Sequence, residues 1–239
     1  MCYHNAIVAE GAEIGERYDS EFDDVGDYKP IYHEVGFSHG KRPVITAEHP
    51  NKIQLYNWGL IPFWTKSREE SDKIRTYTLN AMSEKIFETP SYRSPIKSKR
   101  CLIPSTGFFE WREFKKKKYP YVIQLKDEQI FSMGGIYEEW VDKETGEIKH
   151  TFSIVTTAAN PLMEKIHNIK KRMPLIFPKE IEREWLNPKL GKEEIAALMK
   201  PLDERHMSAH TISKLITSRK EYSNVPAITE QYQYPEISD

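Results

Sequence analysis

The stretch that decides the fold class runs from residue 107 to residue 156. It reads GFFEWREF (107–114), KKKK (115–118), YPYVIQL (119–125), KDE (126–128), QIFSMGGI (129–136) and, past a turn-forming segment at 142–146, HTFSIVT (150–156). Four short runs rich in aromatic and β-branched residues alternate with charged or turn-forming breaks. That is the pattern of strands joined by tight turns, and it predicts an antiparallel meander. Working back toward the start, 3–8, 31–37, 44–47 and 53–59 also read as strands. Working forward, helices over 161–166, 179–186 and 192–199 are short, and Pro188 and Gly191 separate the last two. The segment from Asn224, with Pro226 and Pro235, predicts a strand followed by an end frayed from about residue 230. The class is α+β, dominated by antiparallel sheet.

The chain has 239 residues and no internal repeat or low-complexity linker, so the expectation is a single domain over 1–239. No apolar run approaches the roughly 20 residues that span a bilayer. Nothing apolar follows Met1 as a secretory signal would. A cytoplasmic protein with no membrane partner is expected. Two cysteines, Cys2 and Cys101, cannot hold a metal alone and stay reduced in that compartment. Neither a metal nor a cofactor is expected. Lys+Arg is 35 and Asp+Glu is 36, for a net charge of −1. The distribution is uneven: residues 10–34 are strongly acidic, and 97–120 strongly basic. Such asymmetry leaves room for a basic face toward an anionic partner.

Five segments carry candidate chemistry. Removal of Met1 would leave Cys2 with a free α-amine titrating near pH ~8 beside a thiol near ~8.5. This 1,2-aminothiol forms a Schiff base with an aldehyde and then closes a five-membered thiazolidine. The plain alternative is an incidental cysteine at a frayed end, which the apolar run at 6–8 weakens. Glu110 sits between aromatics in a strand. A carboxyl in apolar surroundings has a raised pKa and serves as acid or base, whereas simple alternation would point Glu110 to solvent. His167 ends a short helix behind Asn160-Pro161, where a capping role is the plain reading. Asn80 or Ser83 caps the next helix, or belongs to a site. Trp58 to Trp64 (WGLIPFW) is core, or a stacking platform for unpaired bases.

Taken in order, the initiator Met and Cys2, WGLIPFW at 58–64, NAMSE at 80–84, CLIPSTGFFEW at 101–111, TTAAN at 156–160 and IHN…RMP at 166–174 resemble the SOS-response-associated peptidase (SRAP) family. The resemblance implies a single compact β-rich domain with a barrel-like core and short helices. It also implies a protein that senses abasic sites in single-stranded DNA and links to them covalently through its N-terminal cysteine, shielding the lesion in the DNA damage response. Residue by residue, Cys2 matches the nucleophile, Asn80 the asparagine near the opened sugar, Glu110 the acid/base carboxyl and His167 the histidine that moves protons at the sugar. DNA contacts are expected from Arg42, Lys97, Lys99, Arg100, Lys170, Lys171 and Arg172, with stacking on Trp58, Trp64 or Pro43. A monomer is expected, at the nucleoid when bound to DNA. Lys115 to Lys118 read as a solvated hairpin tip. Three departures stand out: Tyr3-His4 where the family often has Gly-Arg, Met82 where it has arginine, and two extra residues before Arg172. Two other readings remain open: a cysteine peptidase with Cys2, His167 and Glu110 as its triad, and a single-strand binder with no chemistry.

Overall fold

A computed structural model describes residues 2–23, 25–218 and 220–237. Its strands are β1 (His4–Ile7), β2 (Glu21–Phe22), β3 (Ile31–Val35), β4 (Lys41–Thr46), β5 (Lys52–Trp58), β6 (Asn80–Met82), β7 (Arg100–Ser105), β8 (Gly107–Phe114), β9 (Lys117–Leu125), β10 (Phe131–Val141), β11 (Ile148–Ala158), β12 (Arg172–Pro174), β13 (Ile176–Phe177) and β14 (Met207–Thr211). The helices are α1 (Gly11–Tyr18), α2 (Arg68–Arg75), α3 (Pro95–Ser98), α4 (Pro161–Ile166), α5 (Glu182–Trp185) and α6 (Lys192–Leu198). Among the described residues no helix is long and apolar enough to cross a membrane.

Five strands close a ring. β7 pairs with β10 and β4, β4 with β5, and β10 with β11, all antiparallel. The ring is completed by a parallel contact of β5 with β11, where Asn57 and Trp58 face Thr151 and Phe152. A second sheet, ordered β14-β9-β8-β1-β3, packs beside this barrel. The class is α+β with short helices and mostly antiparallel strands, as the pattern predicts.

The predicted meander breaks in its middle. β8 and β9 form a hairpin whose turn is Lys115-Lys116, both with positive φ (48° and 62°), as a twisted two-residue turn requires. β10 and β11 form another, in the other sheet. The link at 126–130 crosses between sheets instead of turning back. β9 takes β14 on its far edge, a segment with too little apolar character to read as a strand, and β10 takes β7. The helix expected over 179–186 is a 3-10 turn, Lys179–Ile181, followed by α5. Over residues 231–237 the tail is held rather than frayed, and 238–239 lie outside the described residues. Gln231 bridges Ile212, the Tyr234 hydroxyl donates to the Ile212 carbonyl (2.8 Å), and Tyr234 and Ile237 pack on the core.

Three fully buried tryptophans anchor the interior. Each indole N–H donates to a backbone carbonyl: Trp58 to Leu79 (2.9 Å), Trp140 to Thr65 (2.8 Å) and Trp185 to Cys101 (3.0 Å). A large apolar ring is tolerated in a core when its one polar atom finds a partner.

Candidate functional site

The site is assembled where β1 enters the second sheet. β1 lies between β3 and β8, with His4 opposite Val35 and Asn5 opposite both Glu34 and Phe108. This pairing ties down the N-terminal residues, and Cys2 is fully buried in one core cluster with Val44, Tyr56, Trp58 and Phe108. Its Sγ donates to the His4 carbonyl (3.6 Å). Burial, and then the charge of Glu110, push the thiol up to about 12. The frayed-terminus reading of Cys2 fails on this geometry.

Glu110 lies on β8, in the middle of its sheet, and is only 6% exposed. Alternation would have sent it to solvent, but this end of β8 is covered on both faces, and the adjacent Phe108 and Phe109 are both at 0%. Burial pushes the carboxyl up to about 8, so it is protonated at neutral pH.

His167 is the C-cap residue of α4, a helix started by Asn160, whose side-chain oxygen accepts from the Met163 amide (2.9 Å). Its Nε2 stands 3.6 Å from Glu110 Oε2. Its Nδ1 donates to the Arg172 carbonyl (2.9 Å), which can only accept. That fixes the neutral tautomer with a lone pair on Nε2, aimed at the carboxyl. Burial lowers the imidazole to about 4. Between pH 4 and 8 the acidic proton therefore sits on Glu110, and His167 keeps only its Nδ1 proton. At 3.6 Å the two groups are too far for a direct hydrogen bond, and near enough for a substrate hydroxyl to join them.

Asn168, present in the IHN segment without a role of its own, ties the chain just after His167 to β8. Its side chain accepts from the Glu113 amide (3.1 Å) and donates to the Glu113 carbonyl (2.8 Å), docking the residue after His167 onto β8. Its signal in the sequence is its place in that segment, directly after His167.

Asn80 opens β6, which runs parallel to β11 with Asn80 opposite Ile154. It is 7% exposed, and neither its amide oxygen nor its nitrogen has a hydrogen-bond partner among the described residues. It lines a cavity of about 320 Å³ with Tyr3, Phe37, Thr76, Tyr77 and Leu79. An unsatisfied buried amide is costly, and a ligand that supplies both a donor and an acceptor relieves it. Phe37 packs on Tyr3 (centroids 5.2 Å), and both Phe37 and Tyr77 remain largely exposed at the rim. Neither rim residue is foreseeable from the chain, because single exposed aromatics carry no sequence pattern.

The expected DNA contacts divide. Arg42, Pro43, Trp58 and Arg100 are interior. Arg100 spends its guanidinium on the carbonyls of Ile96 (2.8 Å), Lys97 (2.7 Å), Trp185 (2.7 Å) and Asn187. Arg42 bonds Asn5 and Glu34. A charged residue buried by several acceptors looks, in sequence, like a surface one. Arg172 pairs with Glu84 (2.5 Å) and donates to the Thr156 carbonyl (2.6 Å), and Lys99 pairs with buried Glu138. Lys97, Lys170 and Lys171 are exposed, Lys171 within 3.9 Å of Glu164. Trp64 is 42% exposed and borders a separate cavity of about 350 Å³ with Phe63, Pro90, Arg93 and Ser94. Among the described residues no group of three or more His, Cys, Asp or Glu side chains is arranged to hold a metal ion.

The model of the SOS response associated peptidase family matches residues 1–219. The chain belongs to that family. Abasic site processing protein YoqW of Bacillus subtilis is 37% identical over 235 residues, covering 97% of this chain and all of that one. Abasic site processing protein YoaM of the same organism is 35% identical over 226 residues, covering 93% and 96%. A solved structure of a protein from Bacteroides thetaiotaomicron superposes with a TM-score of 0.92 at 46% identity, covering 97% of this chain and 100% of that one. Within this SRAP protein the departure at residue 4 removes a cation. His4 Nδ1 meets His33 Nε2 at 2.8 Å, its ring packs edge-on to Trp111, and burial lowers it to about 3.

Proposed function

We propose that the protein captures abasic sites in single-stranded DNA and joins them covalently through Cys2, after Met1 has been removed. The observation that carries this reading is the neutral Glu110–His167 pair, one acid proton and one basic lone pair 3.6 Å apart, with Cys2 buried within the electrostatic reach of the carboxyl.

The chemistry is built on those proton positions. An abasic sugar exists mainly as a closed hemiacetal. His167 Nε2 accepts the C1′ hydroxyl proton and hands it to the ring oxygen, the C1′–ring-oxygen bond breaks, and the aldehyde opens with His167 neutral again. The Cys2 α-amine attacks C1′ to give a carbinolamine. Glu110 donates its proton to the departing hydroxyl, water leaves, and the iminium forms. The Glu110 carboxylate then takes the thiol proton, and sulfur adds to the iminium carbon. The C=N electron pair moves to nitrogen and the thiazolidine closes. An acid that stays protonated to about pH 8 suits the dehydration step, and its conjugate base suits the thiol step. Ring closure removes the imine, which would otherwise open the way to strand cleavage by β-elimination. Asn80 meets the sugar hydroxyls, Phe37 and Tyr77 offer faces to neighbouring bases, and Lys170 and Lys171 offer charge to the phosphates.

A peptidase triad needs a thiolate–imidazolium pair. Burial acts against both ions here, raising Cys2 and lowering His167, so that reading has less support.

The test is incubation of the mature protein with an abasic single-stranded oligonucleotide, followed by a heated denaturing gel. A heat-stable shifted band is the expected result. Retention on a native gel with no band after heating would leave only a binder. A protein still carrying an uncleaved N-terminal extension should give no band, because its Cys2 nitrogen is an amide.

A further inference from the structure

Arg42, read from sequence as a phosphate contact, is 1% exposed and makes its hydrogen bonds inside the protein. It lies on β4, whose alternation puts Arg42 on the same face as Val44, and Val44 belongs to the core cluster that contains Cys2. So does Tyr56, which stands opposite Arg42 on β5. From the barrel the guanidinium reaches across to β1, where it donates to the Asn5 side-chain oxygen, three residues after Cys2. Asn5 in turn donates to Ser105 Oγ (3.0 Å) on β7 and to Met133 Sδ (3.5 Å) on β10. The second guanidinium nitrogen meets Glu34 Oε2 on β3 (3.3 Å), and Glu34 also accepts from Ser38 Oγ (3.0 Å).

We infer that Arg42 is a positioning residue for the ring-closing step: it fixes β1 behind the nucleophile through Asn5 and supplies the permanent positive charge against which the Cys2 thiolate forms. The inference rests on the crosslinking reading above and adds to it.

The charged and titratable groups around this pair narrow the choice of cation. Glu110 on β8 faces Cys2 and carries no charge until its proton has left. Arg42 acts on Cys2 in the direction that favours the thiolate. The α-amine of Cys2, exposed once Met1 is removed, is consumed in the iminium and becomes the neutral ring nitrogen as the S–C bond forms. Glu34 and Tyr28 face Arg42. His33 is lowered to about 4 by burial and by Arg42, and His4 to about 3 by burial and by His33, so both histidines are neutral. A guanidinium keeps its proton at any working pH.

The test separates the two covalent steps with the mature protein and an abasic single-stranded oligonucleotide. Borohydride added at intervals traps iminium, and heat-stable product without borohydride reports closed ring. In Arg42→Met, iminium should appear at close to the wild-type rate while closure slows about tenfold or more. The pH at which closure reaches half its maximal rate should rise, the direction expected when an opposite charge is lost. Arg42→Lys should restore most of the closure rate. Glu34→Gln, which removes the acid that partly offsets the guanidinium, should move the midpoint the other way. If Arg42→Met is folded by circular dichroism and closes with the wild-type pH profile, or loses both steps equally, the inference is overturned. If Arg42→Met does not fold, Glu34→Gln decides alone: an unmoved or raised midpoint overturns it. Failure of the wild type to give any heat-stable adduct would overturn the crosslinking reading itself, a separate result.

Discussion

Glu110→Gln should make the protein more stable and less reactive, and the stability gain should grow with pH. The carboxyl ordinarily releases its proton near 4.5 and here holds it to about 8, because burial disfavours the ion. Across that window the folded state binds more protons than the unfolded chain, so stability falls as pH rises through it. At about 1.36 kcal/mol per pKa unit, the whole window corresponds to on the order of 5 kcal/mol. That is a large share of a typical folding free energy of roughly 5–15 kcal/mol. Glutamine keeps the shape and never ionises. His167 and the other titrating groups are common to both proteins and cancel in the comparison. The difference in stability, variant minus wild type, should be small and constant below pH 4.5, climb steadily toward pH 8 and then level. Urea unfolding at five pH values from 4.5 to 9, analysed by midpoint and slope, measures it. Crosslinking by the same variant should fall by about 10²–10⁴ for loss of the acid. A stability difference that is flat from pH 5 to 9 would refute the reasoning, because Glu110 would then be ionised in the folded protein and unable to deliver a proton.

Other substitutions separate the site's parts. Cys2→Ser keeps the amine, so borohydride should trap its imine, while the untreated adduct decays on heating; equal heat-stability of the serine and cysteine adducts would remove the thiazolidine step. Tyr77→Ala, at a largely exposed rim position, should weaken binding of abasic single-stranded DNA by about 1–3 kcal/mol with unchanged thermal stability, as read by fluorescence anisotropy and melting. Trp58→Ala should do the reverse: it empties a fully buried site and should cost about 3–5 kcal/mol of stability, a loss read by urea unfolding, with little direct effect on DNA contact.

The hairpin of β8 and β9 is legible because its two strands are neighbours in sequence and differ sharply from the lysine turn between them. The barrel is not. Its closing contact joins β5 to β11, segments far apart in the chain, and no local periodicity records which strand a given edge meets. The same limit hides the break in the meander, since a short polar link reads alike whether the chain turns back or crosses to another sheet. Within the site, Cys2, Glu110, His167 and Asn80 are legible as residue types in motifs. That Glu110 and His167 lie 3.6 Å apart is not, because contacts between segments far apart in the chain, such as the two bonds of Asn168 to the Glu113 backbone, bring α4 onto β8. Arg42 and Arg100 read as surface groups, and Trp58 as either core or a stacking face, because composition records charge and aromaticity, and burial depends on acceptors supplied from elsewhere.

The burial that misleads a sequence reading also separates chemistry from grip. At neutral pH Glu110, His167, His4 and His33 all sit in the form without charge, each pushed there chiefly by desolvation. Arg42 is charged but screened from solvent and paired with Glu34. A phosphate backbone approaching this interior therefore meets little field from the reacting groups themselves. On the proposed reading attraction comes from exposed lysines such as Lys170 and Lys171, and the aromatic faces of Phe37 and Tyr77 add a part that salt does not screen. Salt should then act on capture alone. Raising it should weaken crosslinking at limiting oligonucleotide, with a slope shallower than about −0.7 per phosphate would give for a fully cationic cleft. At saturating oligonucleotide the rate should stay nearly constant, since the proton transfers occur between buried neutral groups that ions in solution do not reach. Met82→Arg should steepen the first dependence by about one contact and leave the second unchanged. A saturated rate that falls with salt would place the reacting groups in contact with solvent ions and undo the separation argued here.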